Sequence, residues 1–295
     1  MSIKIFNIEK KEFEYENVCA EGFMRFLYGN GFGKLAVWTI FRRAFFSRLC
    51  GLWADSKISA GKIEKFIEAN SISRKDMLKD SKCFATFNEF FTRALALDAR
   101  KLADCDISFP SDGRHLLIRN ITKCDSFYIK GQSFNLEKFL NDPKLAARFD
   151  GADMLISRLS PVDYHRFHYP VSGEIVARKL INGALFSVSP IALIPRISIF
   201  WENKRVLNII DSKDLGMCAF VEIGATNVGG IVNFDNAGSF AARGAEAGYF
   251  RLGGSCVVTL IPKSAKIAWD EKLVEMSAQN IECYCKVNSF AGRRA

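Results

Sequence analysis

The stretch Phe109-Pro-Ser-Asp-Gly-Arg114 marks the point at which the pattern of this 295-residue chain changes from helical to β. Before it, apolar residues recur at spacings of three and four, which is typical of helices that pack on one face. After it, short β-type runs are separated by Gly, Asn and Asp, which is typical of strands joined by turns. The sequence therefore predicts an α+β fold, with an N-terminal helical region, 1–98, followed by a mostly antiparallel, β-rich domain, 99–295.

Short β-type runs follow one another after this point, and turn residues bound each of them. Strands are predicted at 115–121, 154–159, 173–180, 204–210, 217–223, 229–234 and 255–261. One helical interruption is predicted at 135–140, and it continues at 144–149 after Pro143. In the N-terminal region, further helix is predicted at 62–70 and 86–97.

Composition indicates a globular protein that is attracted to anionic partners. Hydrophobic residues make up 49% of the chain and charged residues 25%, a balance typical of folded rather than disordered proteins. The formal net charge is +9, so nucleic acid, an anionic membrane and an acidic small molecule are all candidate partners. Because the sequence contains neither a nucleic-acid type of Lys/Arg block nor zinc-finger spacing, we expect no nucleic-acid partner.

Cysteine content and hydropathy give expectations about the compartment. The nine cysteines are odd in number, scattered and without a CxxC pair, which predicts free thiols in a reducing compartment. No run of about 18 apolar residues is present, and the first ten residues lack the apolar core of a signal peptide. We therefore expect neither a transmembrane helix nor a signal peptide. With three histidines in the chain, a Cys/His metal site has few ligands, and no metal is predicted.

The segment 22–53 combines aromatic and basic residues and contains no acidic residue. Its apolar positions recur every three or four residues, which predicts an amphipathic helix. Such a helix suits a membrane interface, where rings enter the headgroup layer and cations meet anionic lipids. A helix that packs on its own protein with a solvated basic face explains the pattern equally well. The candidate membrane-binding residues are Arg25, Lys34, Trp38, Phe41, Arg42, Arg43, Phe45 and Arg48.

Near the C-terminus, the run Tyr249-Phe-Arg-Leu-Gly-Gly-Ser-Cys-Val-Val-Thr-Leu260 places Gly254 directly before Ser255 and an apolar β-type run. A serine after a small, flexible residue is a position where a backbone can cleave itself and leave the serine as a new N-terminus. Gly-Gly-Ser is also ordinary turn chemistry before a strand, and on its own the turn is the more frequent explanation. The interpretation of Ser255 therefore depends on the residues that accompany it elsewhere in the chain.

Two of the three histidines, His165 and His168, lie three residues apart in Leu159-Ser-Pro-Val-Asp-Tyr-His-Arg-Phe-His168. Imidazoles can transfer protons at neutral pH, whereas a metal pair lacks evident further ligands. Two structural histidines explain the spacing equally well. Asp112, in Pro110-Ser-Asp-Gly-Arg114, is most simply a turn residue, but its carboxylate could orient a histidine in an acid–histidine–serine triad.

Together and in this order, these segments resemble the phosphatidylserine decarboxylase family. The resemblance covers about residues 85–262. It rests on Phe87-Asn-Glu-Phe-Phe-Thr-Arg93, Pro110-Ser-Asp-Gly-Arg114, Lys130-Gly131 with Phe134 and Leu136, the two-histidine segment, Asn203-Lys-Arg-Val206, residues 221–231 and Leu252-Gly-Gly-Ser255. The basic, aromatic segment 22–53 is similar to the family's membrane-docking region. An ordered set of segments is far more specific than any one of them.

The resemblance implies an enzyme that converts phosphatidylserine to phosphatidylethanolamine and CO2 through a Schiff base with a pyruvoyl group. Self-cleavage between Gly254 and Ser255 would make that group from Ser255 and divide the chain into a β chain, 1–254, and an α chain, 255–295. A pyruvoyl group is an electron sink, which decarboxylation at an α-carbon needs and which no natural side chain provides.

The resemblance also implies roles and partners. Asp112 and His168 match the acid and base that activate Ser255, and His165 matches a residue used in decarboxylation. Phosphatidylserine is the implied substrate and an anionic membrane surface the implied partner, which places the enzyme peripherally at the cytoplasmic face of the cell membrane. Whether the paired chains form a homodimer of heterodimers is left open.

One position departs from the family's pattern, because Cys256 follows the serine where the family usually has Thr. A hydroxyl that could hydrogen-bond near the reactive serine is therefore missing.

The residues alone leave three other functions open. One is a serine hydrolase that uses Asp112, His168 and Ser255, although it would lack a Gly-x-Ser-x-Gly elbow. The others are a non-enzymatic membrane-interface protein and a pyruvoyl enzyme that acts on a soluble amino acid.

Overall fold

Three β-sheets account for the strands of the computed structural model, which describes residues 3–16, 18, 21–121, 134–225, 230–253 and 255–295. The strands are β1 Ile3–Asn7, β2 Glu12–Glu16, β3 Ile107–Ser108, β4 Gly113–Ile118, β5 Asp153–Leu159, β6 Arg166–His168, β7 Gly173–Ile181, β8 Arg205–Ser212, β9 Gly216–Gly224, β10 Ile231–Asn233, β11 Phe240–Ala241, β12 Glu246–Phe250, β13 Ser255–Ile261, β14 Ile267–Trp269, β15 Glu282–Cys285 and β16 Phe290–Arg294. Each of the seven predicted strands overlaps one of these.

The largest sheet has ten strands in the order β11-β7-β8-β9-β13-β5-β4-β15-β1-β2. Its strands pair antiparallel except for β1 and β15, which run parallel over the described residues. Two three-stranded sheets, β10-β12-β6 and β14-β16-β3, complete the β structure. The mostly antiparallel body that the sequence predicts is therefore confirmed.

Short helices surround this sheet. They are α1 Glu21–Gly29, α2 Gly31–Ala36, α3 Ala44–Ala54, α4 Ile63–Ala69, α5 Phe87–Phe91, α6 Leu136–Leu140, α7 Pro143–Arg148, α8 Pro190–Leu193, α9 Ile199–Glu202 and α10 Glu271–Ala278. A π-helical turn, Val37–Phe41, follows α2, and 3-10 turns cover Lys57–Lys62, Ser81–Cys83 and Lys263–Ala265. The protein is thus a mixed α+β fold. Among the described residues, no helix is long and apolar enough to span a bilayer.

The two faces of the large sheet bury two separate hydrophobic cores, because successive side chains of a strand point to opposite faces. On β13, Cys256 and Val258 enter the core that contains Phe139, Phe149, Leu193 and Phe200 of the helical side. Val257 enters the opposite core, which contains Phe109, Phe167, Phe250, Trp269 and Leu273. Position 256 therefore faces away from the side chain of Ser255.

The amphipathic segment 22–53 does not form one helix. The chain breaks at Asn30, which has an extended backbone and caps α2 by accepting a hydrogen bond from the amide of Gly33 at 2.8 Å. Gly33 fits tightly, since a Cβ there would lie 2.0 Å from the carbonyl oxygen of Phe26. The turn that these residues make allows α1 and α2 to pack together, and Leu27 and Val37 enter the main core.

The predicted helical region 1–98 begins with a β-hairpin rather than a helix. β1 and β2 pair antiparallel, and β1 also joins β15 at the edge of the large sheet. Because β15 lies near the C-terminus, only long-range pairing recruits this hairpin. The remaining predicted helices are shorter than expected: α4 lies within 62–70, and α5 occupies the start of 86–97.

Candidate active site

Ser255 is the first residue of β13, in the interior of the large sheet. Its Cα pairs with Leu159 of β5 on one side and with Gly224 of β9 on the other. The side chain is fully buried, and its Oγ has no hydrogen-bond partner among the described residues. A buried hydroxyl without a partner is uncommon, because desolvation of the hydroxyl is then uncompensated. The site thus presents an uncommitted hydroxyl inside the protein.

The backbone just before Ser255 takes a conformation that favours glycine. Gly253 is buried and has φ +142°, a value that residues with a Cβ rarely adopt. Gly254, which precedes Ser255 at the predicted cleavage point, lies outside the described residues. A glycine-dependent bend therefore lies two residues before Ser255.

His165 lies in a dry environment close to this bend. Its Nδ1 is 3.0 Å from the carbonyl oxygen of Asp163, and its ring stacks on Phe91 with centroids 3.8 Å apart. Since a carbonyl only accepts, Nδ1 carries the proton and Nε2 carries the lone pair. Nε2 has no normal hydrogen-bond partner among the described residues, although the backbone of Gly253 lies near enough to act on the imidazole. Burial lowers the pKa of His165 to about 3, so the ring is neutral at pH 7.

His168, on β6, has partners that suit a protonated ring. Nδ1 is 2.8 Å from the carbonyl oxygen of Gly244, and Nε2 is 3.3 Å from the hydroxyl of Tyr164. That hydroxyl donates to Glu246 at 2.8 Å, so it can accept from Nε2 only when both ring nitrogens carry protons. Burial lowers the pKa of His168, while Gly244 and the charges of Glu246 and Asp112 oppose that shift. The surroundings therefore favour a neutral base that gains support once it takes a proton.

Asp112 lies near enough to His168 for its charge to act on the imidazole. Among the described contacts, no hydrogen bond joins the two side chains. Its carboxylate accepts from Nε and Nη2 of Arg100 at 2.9 and 2.6 Å, and from the amide of Val287 at 2.9 Å. The two backbones are adjacent, since the amide of His168 donates to the carbonyl of Pro110 at 2.7 Å. The structure thus brings Asp112 and His168 together electrostatically, and the described contacts join neither of them to Ser255 by a hydrogen bond.

Gly113 explains why the turn around Asp112 approaches β5 so closely. A Cβ at Gly113 would lie 2.4 Å from the carbonyl oxygen of Arg158. Any larger residue would push the turn away from β5 and move the carboxylate of Asp112 with it. The Asp-Gly pair of the sequence is therefore both a turn and a requirement of the site.

Asp163, Arg93 and Arg114 belong to the site but are not among the sequence-predicted residues. The carboxylate of Asp163 accepts from the amide of Ser160 at 2.6 Å and pairs with the guanidinium of Arg114. Arg93 donates to the carbonyls of Val162 and Asp163 at 3.5 and 3.4 Å. Burial raises the pKa of Asp163 to about 6. An acid two residues before His165 was the signal available in the sequence.

An apolar cavity of about 330 Å³ connects the N-terminal helices with the residues before Ser255. On the helical side it is lined by Phe23, Met24, Leu27, Val37, Phe41 and Phe46, and on the opposite side by Leu159, Pro161, Leu252 and Gly253. A separate cavity of about 450 Å³ is polar and includes Asp112, Asp163, Arg93, Arg100 and Arg114 in its lining. The segment that carries Pro161 and Asp163 separates the two.

The eight candidate membrane-binding residues all lie on α1, α2, α3 and the turns between them. Arg25, Lys34, Trp38, Arg43, Phe45 and Arg48 are exposed, whereas Phe41 and Arg42 are half-buried. Arg25 pairs with Glu21, and the guanidinium of Arg42 lies 4.4 Å from the Trp38 ring centroid. Other exposed apolar side chains in the same helices are Phe23, Phe26, Phe32, Leu35, Ile40, Leu49, Leu52 and Trp53. An apolar surface of this extent is unusual for a monomer that contacts only water.

Cys256 is buried and faces the helical core. Burial raises the pKa of its thiol, so the residue behaves as a small apolar side chain. Since it points away from Ser255, replacing the family's usual Thr changes packing rather than the side chains around the hydroxyl. Within the part of the chain that the structure describes, no three His, Cys, Asp or Glu side chains are grouped to hold a metal ion.

Comparison with known proteins finds one family model and several curated relatives. The model described as phosphatidylserine decarboxylase matches residues 87–285. A protein of Fusobacterium nucleatum named phosphatidylserine decarboxylase proenzyme is 40% identical over 283 residues, covering 95% of this chain and 94% of its own. Proteins of the same name from Chlamydia trachomatis and Clostridium novyi are 37% and 35% identical, covering 98% and 95% of this chain and 96% of each relative.

Proposed function

The chain belongs to the phosphatidylserine decarboxylase family, and from that premise we propose that it is a proenzyme that cleaves itself between Gly254 and Ser255. The observation that carries the proposal is the buried hydroxyl of Ser255, which has no hydrogen-bond partner among the described residues and lies two residues after the glycine-dependent bend at Gly253. As a member of this family the chain is a carboxy-lyase, and phosphatidylserine is its proposed substrate, with phosphatidylethanolamine and CO2 as products.

Residue 255 fits a pyruvoyl group made from its own atoms. The group would occupy the start of β13, where the serine side chain is already enclosed and has no competing hydrogen bond. A pyruvoyl group supplies a ketone that binds the substrate amine and accepts the electrons released with CO2. The apolar cavity that reaches Gly253 gives a two-chain lipid a route from the N-terminal helices to this position.

We propose that His168 is the base for self-cleavage. Its Nε2 takes the proton of the Ser255 hydroxyl as Oγ attacks the carbonyl carbon of Gly254 and the C–N bond of the peptide breaks, which leaves an ester. The proton passes from Nε2 to the nitrogen of Ser255, which becomes a free amine. Loss of the α-proton of Ser255 then breaks the Cβ–Oγ bond, which releases the Gly254 carboxylate and leaves a Cα=Cβ double bond. The resulting dehydroalanine reacts with water to give pyruvoyl and ammonia. Asp112 and Glu246 stabilise the imidazolium through their charges, as their effect on the pKa of His168 indicates.

We propose that His165 moves a proton during decarboxylation rather than during cleavage. Its Nδ1 is committed to the carbonyl of Asp163, so Nε2 is the atom free to accept and deliver a proton. Asp163, held by Arg114, and Phe91, stacked on the ring, fix the orientation of the imidazole. A neutral imidazole that is buried near Gly253 suits proton transfer without competition from water.

The sheet explains how the two products of cleavage would stay associated. Residues 255–295 supply β13 between β9 and β5, and β15 between β4 and β1. Both are interior strands, so separating the fragments would require breaking the large sheet. The proposed mature enzyme is therefore a tightly interlocked pair of chains, and its assembly into a homodimer of such pairs stays a prediction.

We also propose that α1–α3 dock on an anionic membrane at the cytoplasmic face. The exposed aromatic residues and the basic residues of these helices, together with the net charge of +9, support docking. The cavity beneath the helices would admit lipid from the same side. The described cysteines include seven free thiols, which fits a reducing compartment.

Intact mass analysis of the purified protein tests self-cleavage. We expect two fragments, residues 1–254 and residues 255–295, and a shorter fragment that resists Edman degradation because pyruvoyl blocks its N-terminus. Sodium cyanoborohydride with phosphatidylserine should add mass to the shorter fragment only, because the amine is captured there. An active preparation that consists of uncut chain would refute the proposal.

Substitution of one exposed phenylalanine tests membrane docking. Phe45, on α3, is 71% exposed, and we expect Phe45→Asp to weaken binding to phosphatidylserine-containing vesicles by about 10- to 100-fold, the value of burying one such side chain. Phe240→Asp is the matched control, since Phe240 is 68% exposed on β11. Deleting 22–53 is less informative because Leu27 and Val37 are core residues. Equal loss in both variants in a flotation assay would count against docking through α1–α3.

A further inference from the structure

We propose that Asn88 is a positioning residue for self-cleavage, holding the segment 251–253 so that the following peptide bond lies against Ser255. The inference rests on the proposed cleavage at Gly254-Ser255. It concerns three side chains that we call the clasp: Asp55, Asn88 and Arg251. None of the three was a candidate site residue from the sequence.

The amides before the cleavage point are fixed one after another. Phe250 donates to the carbonyl of His165 at 2.9 Å, and Arg251 donates to the carbonyl of Gly230 at 3.1 Å. The next amide, that of Leu252, donates instead to Oδ1 of Asn88 at 3.0 Å. A side chain from another element therefore supplies the last of these consecutive anchors before the bend at Gly253.

The amide group of Asn88 is oriented by its second hydrogen bond. Nδ2 donates to Oδ1 of Asp55 at 2.8 Å, which leaves Oδ1 of Asn88 to accept from Leu252. Only a group with a donor and an acceptor on one carbon can satisfy both partners. Asn88 is itself buried, so loss of either bond would leave an unsatisfied polar group.

Asp55 connects the clasp to both neighbouring elements. It follows the last residue of α3, and both of its carboxylate oxygens lie 3.1 Å from Nη2 of Arg251. Ser59 holds α5 against the end of α3, since its Oγ accepts from the amide of Phe87 at 2.8 Å and shares its proton between the carbonyls of Ser56 at 2.6 Å and Ala54 at 3.0 Å. The backbone of Leu252 and the side chain of Arg251 are therefore both tied to the α3–α5 junction.

This arrangement has a direct consequence for the reaction. Attack of Ser255 Oγ requires the Gly254 carbonyl to be held at a reactive distance and angle, and a displacement of about 1 Å can slow such a step about 100-fold. The glycines before Ser255 have no side chains that could pack against neighbouring residues and fix the backbone. The clasp supplies the missing restraint two residues upstream.

Reversing the polarity of the clasp tests the proposal. In Asn88→Asp, two carboxylates face each other and neither has an N–H to donate, so the hydrogen bond between positions 55 and 88 is lost. We expect cleavage of newly synthesised chain to slow at least about tenfold. In Asp55→Asn with Asn88→Asp, the donor and acceptor are exchanged and the bond to Leu252 is kept, so the rate should return to within about threefold of wild type. Cleavage is followed by a pulse–chase gel, and Tm is measured on the same variants.

The control is Asn135→Asp, the same chemical change at the N-cap of α6, where Asp caps equally well. It should cleave at the wild-type rate. Asn88→Asp that cleaves at the wild-type rate, or a folded double variant that cleaves as slowly as the single one, overturns the clasp. If Asn88→Asp does not fold, the double variant alone decides. A wild-type chain that is never cut overturns the proposed function as well, which separates the two failures.

Discussion

Ser255→Ala should yield a folded, full-length chain that is never cut and has no decarboxylase activity. The variant removes the only atom that the proposed step uses as nucleophile, so the loss is complete rather than partial. It should not harm folding, because Oγ of Ser255 has no hydrogen-bond partner among the described residues and the smaller side chain leaves no polar group unsatisfied. Intact mass, a decarboxylation assay and Tm give the three readouts.

Thr259→Val is the matched control for this result. Thr259 lies on the same strand, is fully buried and also has a hydroxyl without a partner among the described residues. The valine variant should be cleaved and active, because its hydroxyl has no chemical role. Cleavage of Ser255→Ala, or decarboxylation by the uncut chain, would contradict the assignment of Ser255. A serine hydrolase would lose activity in Ser255→Ala without the wild-type chain ever having been cut.

The two histidine variants should fail at different steps. His168→Ala should accumulate uncut chain, with cleavage slowed about 10²- to 10⁴-fold, because a general base typically contributes that much. His165→Ala should be cleaved at a rate near that of wild type but decarboxylate about 10²- to 10⁴-fold more slowly per mature molecule, since Nε2 of His165, which has no hydrogen-bond partner among the described residues, is the proposed proton carrier. Quantifying fragments and activity on the same samples separates the steps.

The converse pattern would reassign the two roles. If His165→Ala accumulates uncut chain while His168→Ala matures, the proximity of His165 to Gly253 marks it as the cleavage base. Rescue of cleavage in His168→Ala by added imidazole would further support proton transfer as the lost function. Tm of both variants should be compared, because each ring is buried and its loss leaves a cavity.

Strand prediction succeeded where local pattern and burial agree. The run from Ser255 to Ile261 is β-branched and apolar, and it forms β13 with the predicted bounds. The hairpin of β1 and β2 was missed because each strand has only five residues, although Glu12–Glu16 alternates acidic and aromatic residues as a strand does. Pairing with β15 stabilises the hairpin from the other end of the chain. The helix of 22–53 was expected to be continuous, and the cap at Asn30 divides it.

The site residues were predicted less completely than the strands. Ser255, His165 and His168 stand out by residue type and order along the chain. Their partners do not, because Arg100 reaches Asp112 and Arg114 reaches Asp163 through packing between distant elements. The same holds for Asn88, whose contact with Leu252 spans 164 residues. Residue type predicts what a group can do, whereas its partners depend on which elements meet.

The sequence by itself determined the family, the order of the reactive segments and the α+β class, since these depend on residue type and local periodicity. Tertiary structure alone decided the protonation state of His165 and how the backbone before Gly253 is held in place. Burial holds His165 neutral with its Nε2 free, and the α3–α5 junction holds the backbone before Gly253. Desolvation and hydrogen bonding depend on the surroundings in space, and residues far apart in sequence supply those surroundings.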